Sequence, residues 1–299
     1  MYVITGATGH TGTIAAKALL ARGHSVRVVG RSADRLRPLT SLGAEAFLAD
    51  ITDSKKLAQA FEGAQAAYVL VPPNLSSDDY RGYQEKVTDA IAAAVAQSKV
   101  PAVVALSSIG ADKPDKTGPV IGLHNLEQKL NEVDGVNVLH LRAGYFMENT
   151  MGQVGAIRAM GATAGPLRPD LKLAMIATRD IGAAVADALL ALDFKNKQTR
   201  ELLGQRDISM VEATAVVAKA IGKSNLSYVQ VPDDQFVAVL TRMGMSKNVA
   251  GLLVEMSASL NSGYMRALEP RSVKNTTPTS YETFVTEEFL PAYRQQSAA

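Results

Sequence analysis

Gly6, Gly9 and Gly12 stand three residues apart, between the apolar run Tyr2-Val3-Ile4 and a segment whose Ile14, Ala15, Ala18 and Leu19 recur at helical spacing. This spacing suits an anion held by main chain. Gly6 allows a tight turn out of a strand, Gly9 leaves room for a pyrophosphate to approach the backbone, and Gly12 lets the next helix lie close to the sheet. The first helical N–H groups and the positive end of the helix dipole then face the anion. Thr8, His10 and Thr11 fill the loop and are expected, with the glycines, to bind a dinucleotide. Glycine-rich turns also join strands and helices without any ligand, but here a strand precedes the turn and a helix follows it.

The end of the second apolar run discriminates between dinucleotides. An acidic residue there accepts hydrogen bonds from a free ribose 2′-hydroxyl and repels a 2′-phosphate. This chain has Gly30-Arg31-Ser32 and no acid before Asp34. Arg31 offers a planar guanidinium to a phosphate, with Arg35 one turn on and Ser32 beside it. NADP(H) is therefore expected in preference to NAD(H), against the plainer reading of Arg31 as a solvated surface charge. Asp50, with Ile51, follows the third strand and either meets the adenine edge or caps the helix beginning near Asp53 or Ser54. Val71-Pro72-Pro73-Asn74 closes the fourth strand, where prolines remove donors and present an apolar wall to the cofactor.

The elements that must hold these residues follow a regular order. Strands are expected at 25–29, 44–49, 66–71, 102–106 and 136–141, separated by segments of helical composition, including a long alanine-rich helix over 79–98. The runs at 66–71 and 102–106 are almost continuously apolar, as in central strands covered on both faces. The fold class is α/β: a Rossmann-type, doubly wound parallel sheet in the order 3-2-1-4-5-6, with a smaller, mainly helical C-terminal part. The division is placed at 1–150 for the dinucleotide-binding domain and 151–299 for the part that closes over the carboxyl edge of the sheet. Some later segments could return to the sheet. The stretch after residue 150, punctuated by Gly152, Gly155, Gly161, Gly165, Pro166 and Pro169, reads as irregular. Helices are expected again at 180–192, 210–221, 233–243 and 247–260, with a strand at 228–231 and a frayed tail beyond Tyr293.

Composition removes several classes of function. With 299 residues, 47% hydrophobic and 20% charged, the chain can bury a substantial core. A net charge of +2 without basic runs argues against nucleic acid as a direct partner. No cysteine is present, so disulfides and thiolate chemistry are excluded. The four histidines, His10, His24, His124 and His140, show no metal-binding spacing, and no metal is expected. No apolar run approaches a membrane span and no secretory signal pattern precedes the first strand, so a cytoplasmic location is expected.

Several segments together resemble the NmrA-like branch of the short-chain dehydrogenase/reductase superfamily. They are Thr5 to Gly12, Gly30-Arg31, Leu48-Ala-Asp50, Leu106-Ser-Ser-Ile-Gly110, His124 with Lys129, Leu141-Arg-Ala-Gly-Tyr-Phe-Met-Glu-Asn149 and Asp180-Ile-Gly-Ala. The resemblance covers nearly the whole chain and is strongest toward quinone oxidoreductases and triphenylmethane-type reductases. It implies that Ser107 and Ser108 end the fifth strand beside the nicotinamide and that Lys129 bonds the nicotinamide ribose. The superfamily's YxxxK pattern is broken, because Asn125 stands four residues before Lys129.

That departure has chemical content. Reducing a ketone creates an alkoxide that a tyrosine-lysine pair protonates, whereas hydride transfer to a quinone yields a stabilised phenolate and to a triarylmethyl cation a neutral product. The expected activity is thus NADPH-dependent reduction of small aromatic electrophiles, with Lys129, His124 and Ser108 as the catalytic group, where His124, lone at a helix start, either donates a proton or orients substrate, or is a solvated or capping residue. Tyr145, Phe146 and Asn149 either line the substrate cleft or pack between sheet and C-terminal part. Arg142 is expected to anchor a loop or a carboxylate. A homodimer is compatible with this reading. The alternative is a regulator that senses NADP(H) without turnover and acts on a protein partner. An epimerase or dehydratase is disfavoured by the absent tyrosine.

Overall fold

Ala66–Val69 is buried at every position and sits at the centre of a parallel sheet. In this computed structural model, which describes residues 1–295, the first half of the chain alternates strand and helix. It runs β1 (Tyr2–Ile4), α1 (His10–Ala21), β2 (Val26–Gly30), α2 (Ala33–Thr40), β3 (Glu45–Leu48), α3 (Ser54–Phe61), β4 (Ala66–Val69), α4 (Tyr80–Ser98), β5 (Ala102–Ser108), α5 (Ile121–Asn131) and β6 (Asn137–Ala143). The second half contains β7 (Tyr145–Phe146), α6 (Gln153–Met160), β8 (Thr163–Gly165), β9 (Leu173–Ile176), α7 (Thr178–Ala191), β10 (Lys197–Leu202) and β11 (Asp207–Ile208). It ends with α8 (Met210–Ile221), β12 (Tyr228–Gln230), α9 (Asp233–Arg242), α10 (Lys247–Asn261), α11 (Tyr281–Phe284) and α12 (Leu290–Gln295).

Seven strands form the main sheet in the order β10-β6-β5-β4-β1-β2-β3, all parallel. The six-strand order read from the sequence is present, with β10 added beyond β6 through six register pairs from Lys197–Val138 to Leu202–Ala143. Strand alternation sends Tyr2, Ile4, Val28, Tyr68, Val104 and Leu139 to one face, where α1, α2 and α7 cover them. Val3, Val29, Val69, Val103 and Val138 point to the other face, under α3, α4 and α5. Two apolar layers therefore clamp the sheet. Helix α7 and β10 belong to this three-layer body although they follow residue 150.

A third core lies among the C-terminal elements, where Met147, Ile157, Met175, Val217, Tyr281 and Phe289 meet. The stretch after residue 150 is more regular than its glycines and prolines suggest. It holds a 3₁₀ turn at Met147–Gly152, helix α6 and the short strands β8 and β9. Strand β9 joins β7 and β11, and β8 pairs with β12. Strands of two to four residues are too short to leave a readable period. Of the tail expected to fray beyond Tyr293, Arg294 and Gln295 continue α12, and the remainder lies outside the described residues.

Candidate dinucleotide and active site

The sheet reverses direction of growth between β1 and β4, and a crevice opens at the carboxyl ends of these two strands. The glycine loop crosses it. Gly6 adopts φ +57°, and a β-carbon there would stand 2.8 Å from Leu70 Cδ2. At Gly12 a β-carbon would come within 2.4 Å of the Gly6 carbonyl oxygen, so α1 can rest on the loop only without a side chain. Gly9 is the N-cap of α1, and no side chain caps that helix. The first turn of α1 thus keeps its N–H groups for something outside the chain. His10 is exposed at this end. Thr11 is turned inward, its hydroxyl 2.8 Å from that of Tyr68, so only its backbone remains for an anion. Burial raises the Tyr68 phenol far above its ordinary range, and this pair stays neutral.

Beyond the loop, a cleft of about 260 Å³ is lined by Gly6, Thr8, Arg31, Asp50, Pro72 and Tyr83, among others. Ile51, Pro73 and Asn74 extend the same wall. Arginines nearby are committed elsewhere: Arg27 pairs with Glu45 and Arg37 with Asp34. The side chains of Arg31 and Arg35 have no carboxylate partner among the described residues, and both line the cleft with Ser32. Ser32 also caps α2 by accepting from Arg35 N. Asp50 does not cap α3; Asp53 does, accepting from Lys56 N at 3.0 Å. The Asp50 carboxylate instead accepts from the backbone N–H and hydroxyl of Thr52, which hold it below the usual carboxylate range, with Arg31 adding to the effect. Val71 packs into the core on the α3–α4 side rather than into the cleft.

The fifth and sixth strands bring a different arrangement from the expected one. Ser107 is buried and donates to Glu127 Oε1 at 2.5 Å. Arg142 grips the same carboxylate through Nε to Oε1 at 2.9 Å and Nη2 to Oε2 at 2.6 Å. Ser107 is thus turned away from the cleft and locks α5 to the sheet. Arg142 anchors a carboxylate, as expected. Ser108 is half-buried at the carboxyl edge, its hydroxyl donating to the Ile109 carbonyl at 3.0 Å.

Lys129 is placed away from this cleft. Its ammonium lies on α4, ion-paired to Asp89 and Glu85 and 3.3 Å from the Thr88 hydroxyl. Helical phase explains the displacement. Leu126 and Leu130 face the sheet and Glu127 faces Ser107, so Lys129 falls about 200° round the helix from Glu127. The face of α5 that does reach the edge loop carries His124, whose Nδ1 stands 2.8 Å from the Ala111 carbonyl oxygen. A carbonyl can only accept, so Nδ1 carries the proton in the neutral ring and Nε2 is left as the acceptor.

Tyr145 and Phe146 form β7 beside β9. The Tyr145 phenol is pushed up to about 12 by burial, with the Asn149 side chain opposing the shift. Phe146 packs against the core under α7, while Asn149 is exposed. All three are at the carboxyl edge, and packing accounts for most of the surface of Tyr145 and Phe146. Glu148, between them, accepts from Thr178 N and Oγ1 and so caps α7. Sequence reasoning missed Glu127, Glu148 and Tyr83. Only the helical phase of Glu127 relative to Leu126 and Leu130 offered a signal. Among the described residues no group of side chains could hold a metal ion, and no helix is long and apolar enough to cross a membrane.

A parallel sheet with a glycine loop at its switch point defines the NAD(P)-binding Rossmann class. A model of the NmrA-like family matches residues 2–290, and the chain belongs to that family. A (4-alkanoyl-5-oxo-2,5-dihydrofuran-3-yl)methyl phosphate reductase of Streptomyces griseus subsp. griseus is 28% identical over 223 residues, 75% of this chain and 74% of its own. Solved structures share the fold at low identity. Citrobacter sp. triphenylmethane reductase, complexed with NADP(H), matches at TM-score 0.79 and 15% identity over 97% of this chain and 100% of its own. The NADPH-dependent quinone oxidoreductase of Escherichia coli, complexed with NADPH, matches at 0.75 and 20% over 97% and 100%. NmrA, a negative transcriptional regulator complexed with NADP, matches at 0.67 and 16% over 99% and 97%.

Proposed function

We propose that the protein is an NADPH-dependent reductase that passes hydride to small aromatic electrophiles such as quinones. The observation that carries this reading is the cleft holding two arginines, Arg31 and Arg35, that form no ion pair among the described residues, beside a helix N-terminus without a side-chain cap, over which Gly12 admits no side chain. Such a cleft fits a dinucleotide with a 2′-phosphate: backbone N–H groups of the loop take the diphosphate, and the guanidinium groups take the added phosphate. When bound, NADPH supplies the hydride.

The chain's own residues orient and enclose. Gly6 to Gly12 set the cofactor's position along the switch point, and Pro72 and Pro73 exclude water from one wall. His124, fixed through Nδ1, presents Nε2 as the polar atom best placed to orient an acceptor oxygen at the carboxyl edge. With Asn125 in the tyrosine position and Lys129 paired to Asp89 on α4, helix α5 carries no phenol–ammonium pair for an alkoxide where the superfamily pattern would place one. This chemistry favours acceptors whose reduced form needs no strong acid.

A second reading, a sensor of NADP(H), draws on a different feature. The loop after β4 that walls the cleft is tied to the α9–α10 turn, with Ser246 N donating to Leu75 O at 2.9 Å and Ser246 Oγ to Ser77 O at 2.5 Å. A cofactor that settles this loop would also settle α9 and α10; Val239 of α9 and Met243, at its C-cap, are exposed. The deciding experiment follows the nicotinamide absorbance of NADPH and NADH with the protein and benzoquinone, naphthoquinone or a triphenylmethane dye. Acceptor-dependent oxidation of NADPH supports the reductase. Tight binding with no oxidation by any acceptor transfers the reading to the sensor, and no binding removes both.

A further inference from the structure

Tyr83 occupies a position that neither the glycine loop nor the arginine pair accounts for. It stands on the first turn of α4, more than fifty residues from Arg31 in the chain, yet lines the same cleft. Its hydroxyl donates to the Pro72 carbonyl oxygen at 3.0 Å. That bond fixes the Pro72–Asn74 wall, whose proline nitrogens can donate nothing of their own. Burial pushes the Tyr83 phenol up from its ordinary value, Arg31 opposes the shift and Asp50 adds to it, so both cleft residues lie within electrostatic reach of the ring. Around the same wall stand Ile51 and the Asp50 turn. An aromatic face, a proline wall and an aliphatic side chain beside a phosphate-binding pair of arginines make a slot for a flat, apolar base.

We infer that Tyr83 is the specificity-determining residue for the adenine end of the nucleotide, its ring forming one wall of the slot and its hydroxyl latching the adjoining wall through Pro72. The inference rests on the dinucleotide reading above and deepens it. Tyr83 and Arg31 then divide the recognition of adenosine 2′-phosphate between base and phosphate. Tyr83 acts equally on NADPH and NADH, since both carry adenine, and its contribution is insensitive to salt. Arg31 acts on the 2′-phosphate alone, and its contribution is screened as ionic strength rises. The ring of Tyr83 also packs against the Tyr80, Val249 and Leu252 cluster that seats α10, which holds it in place before any nucleotide arrives.

The test is calorimetric titration of the full chain and of Tyr83→Phe, Tyr83→Ala and Arg31→Ala with NADPH, NADH, 2′,5′-ADP and reduced nicotinamide mononucleotide. Losing one neutral hydrogen bond in Tyr83→Phe is expected to weaken NADPH, NADH and 2′,5′-ADP alike by roughly fivefold. Tyr83→Ala, which also removes the aromatic face, is expected to weaken them by roughly ten- to hundredfold. The mononucleotide, lacking adenine, should be unaffected by either change. Arg31→Ala should weaken NADPH and 2′,5′-ADP and spare NADH. Wild-type affinity in both Tyr83 variants overturns the role of Tyr83 and leaves the dinucleotide reading intact, as does a loss that extends equally to the mononucleotide. A wild-type protein that binds none of the four overturns the dinucleotide reading and this inference with it.

Discussion

Glu127 and Arg142 meet as a two-pronged ion pair beneath the carboxyl edge of the sheet, with Ser107 donating to the same carboxylate. The side chains of Glu127 and Arg142 are only 3% and 12% exposed. Removing one partner therefore strands a charge in a dry place. Arg142→Ala is expected to lower unfolding stability by about 3–5 kcal/mol, read from urea denaturation. Arg142→Met combined with Glu127→Leu should cost less than either single change, because no charge is left unpaired. A double variant as unstable as the sum of the singles would show that the pair is not coupled.

The nucleotide preference should hang on Arg31. Arg31→Ala is expected to raise the Kd for NADPH about ten- to hundredfold, the range of a charge-assisted hydrogen bond, while NADH is unchanged. Arg31→Lys should recover part of the loss, since a point charge replaces a fork. An unchanged NADPH to NADH ratio in Arg31→Ala would place the 2′-phosphate elsewhere.

Gly12→Ala tests the loop. Its new β-carbon meets backbone at 2.4 Å, and backbone cannot swing aside as a side chain can. Dinucleotide binding should be lost and the melting temperature should fall. A variant with wild-type affinity and stability would contradict the close seat of α1 on the loop.

Lys129→Met should leave dinucleotide affinity within twofold of wild type. Its ammonium serves Asp89 and Glu85 at a partly solvated helix–helix seam, worth about 1 kcal/mol or less. A tenfold loss of affinity on titration would return the lysine to the ribose.

Acid stability has a named contributor in His140. It is buried in β6, with its Nε2 at 2.9 Å from Asn131 Oδ1 and its Nδ1 unpartnered. Burial is the main cause that lowers its pKa to about 4, helped by Arg142 and Lys197 and opposed by Glu127. The folded value lies below the unfolded one of about 6.5, so the unfolded chain binds the proton more readily. The stability associated with His140 is then complete above pH 6.5 and falls as pH drops toward 4, by on the order of 3 kcal/mol in all. His140→Gln should flatten that part of a stability-against-pH curve, and an unchanged slope between pH 6.5 and 4 would dismiss the histidine as its source.

The local patterns were legible because they are local. A strand, a glycine loop and an amphipathic helix within twenty residues fix the switch-point turn. Arg31 declares its chemistry by following directly on Gly30. The central strands announce themselves by apolar runs that solvent would not tolerate. Tertiary structure alone decided where Lys129, Ser107 and Tyr83 point. Each depends on the phase of one element against another: a difference of two residues turns a helical side chain by about 200°, and one residue turns a strand side chain to the opposite face. Spacing along α5 could not tell whether Lys129 or His124 faces the sheet edge, because that depends on how Leu126 and Leu130 seat on β5 and β6. Nor could any local pattern join Tyr83 to Pro72 or Glu127 to Arg142. Tyr83 meets Pro72 only when α4 folds back beside the loop after β4, and Glu127 meets Arg142 only when α5 seats against β5 and β6.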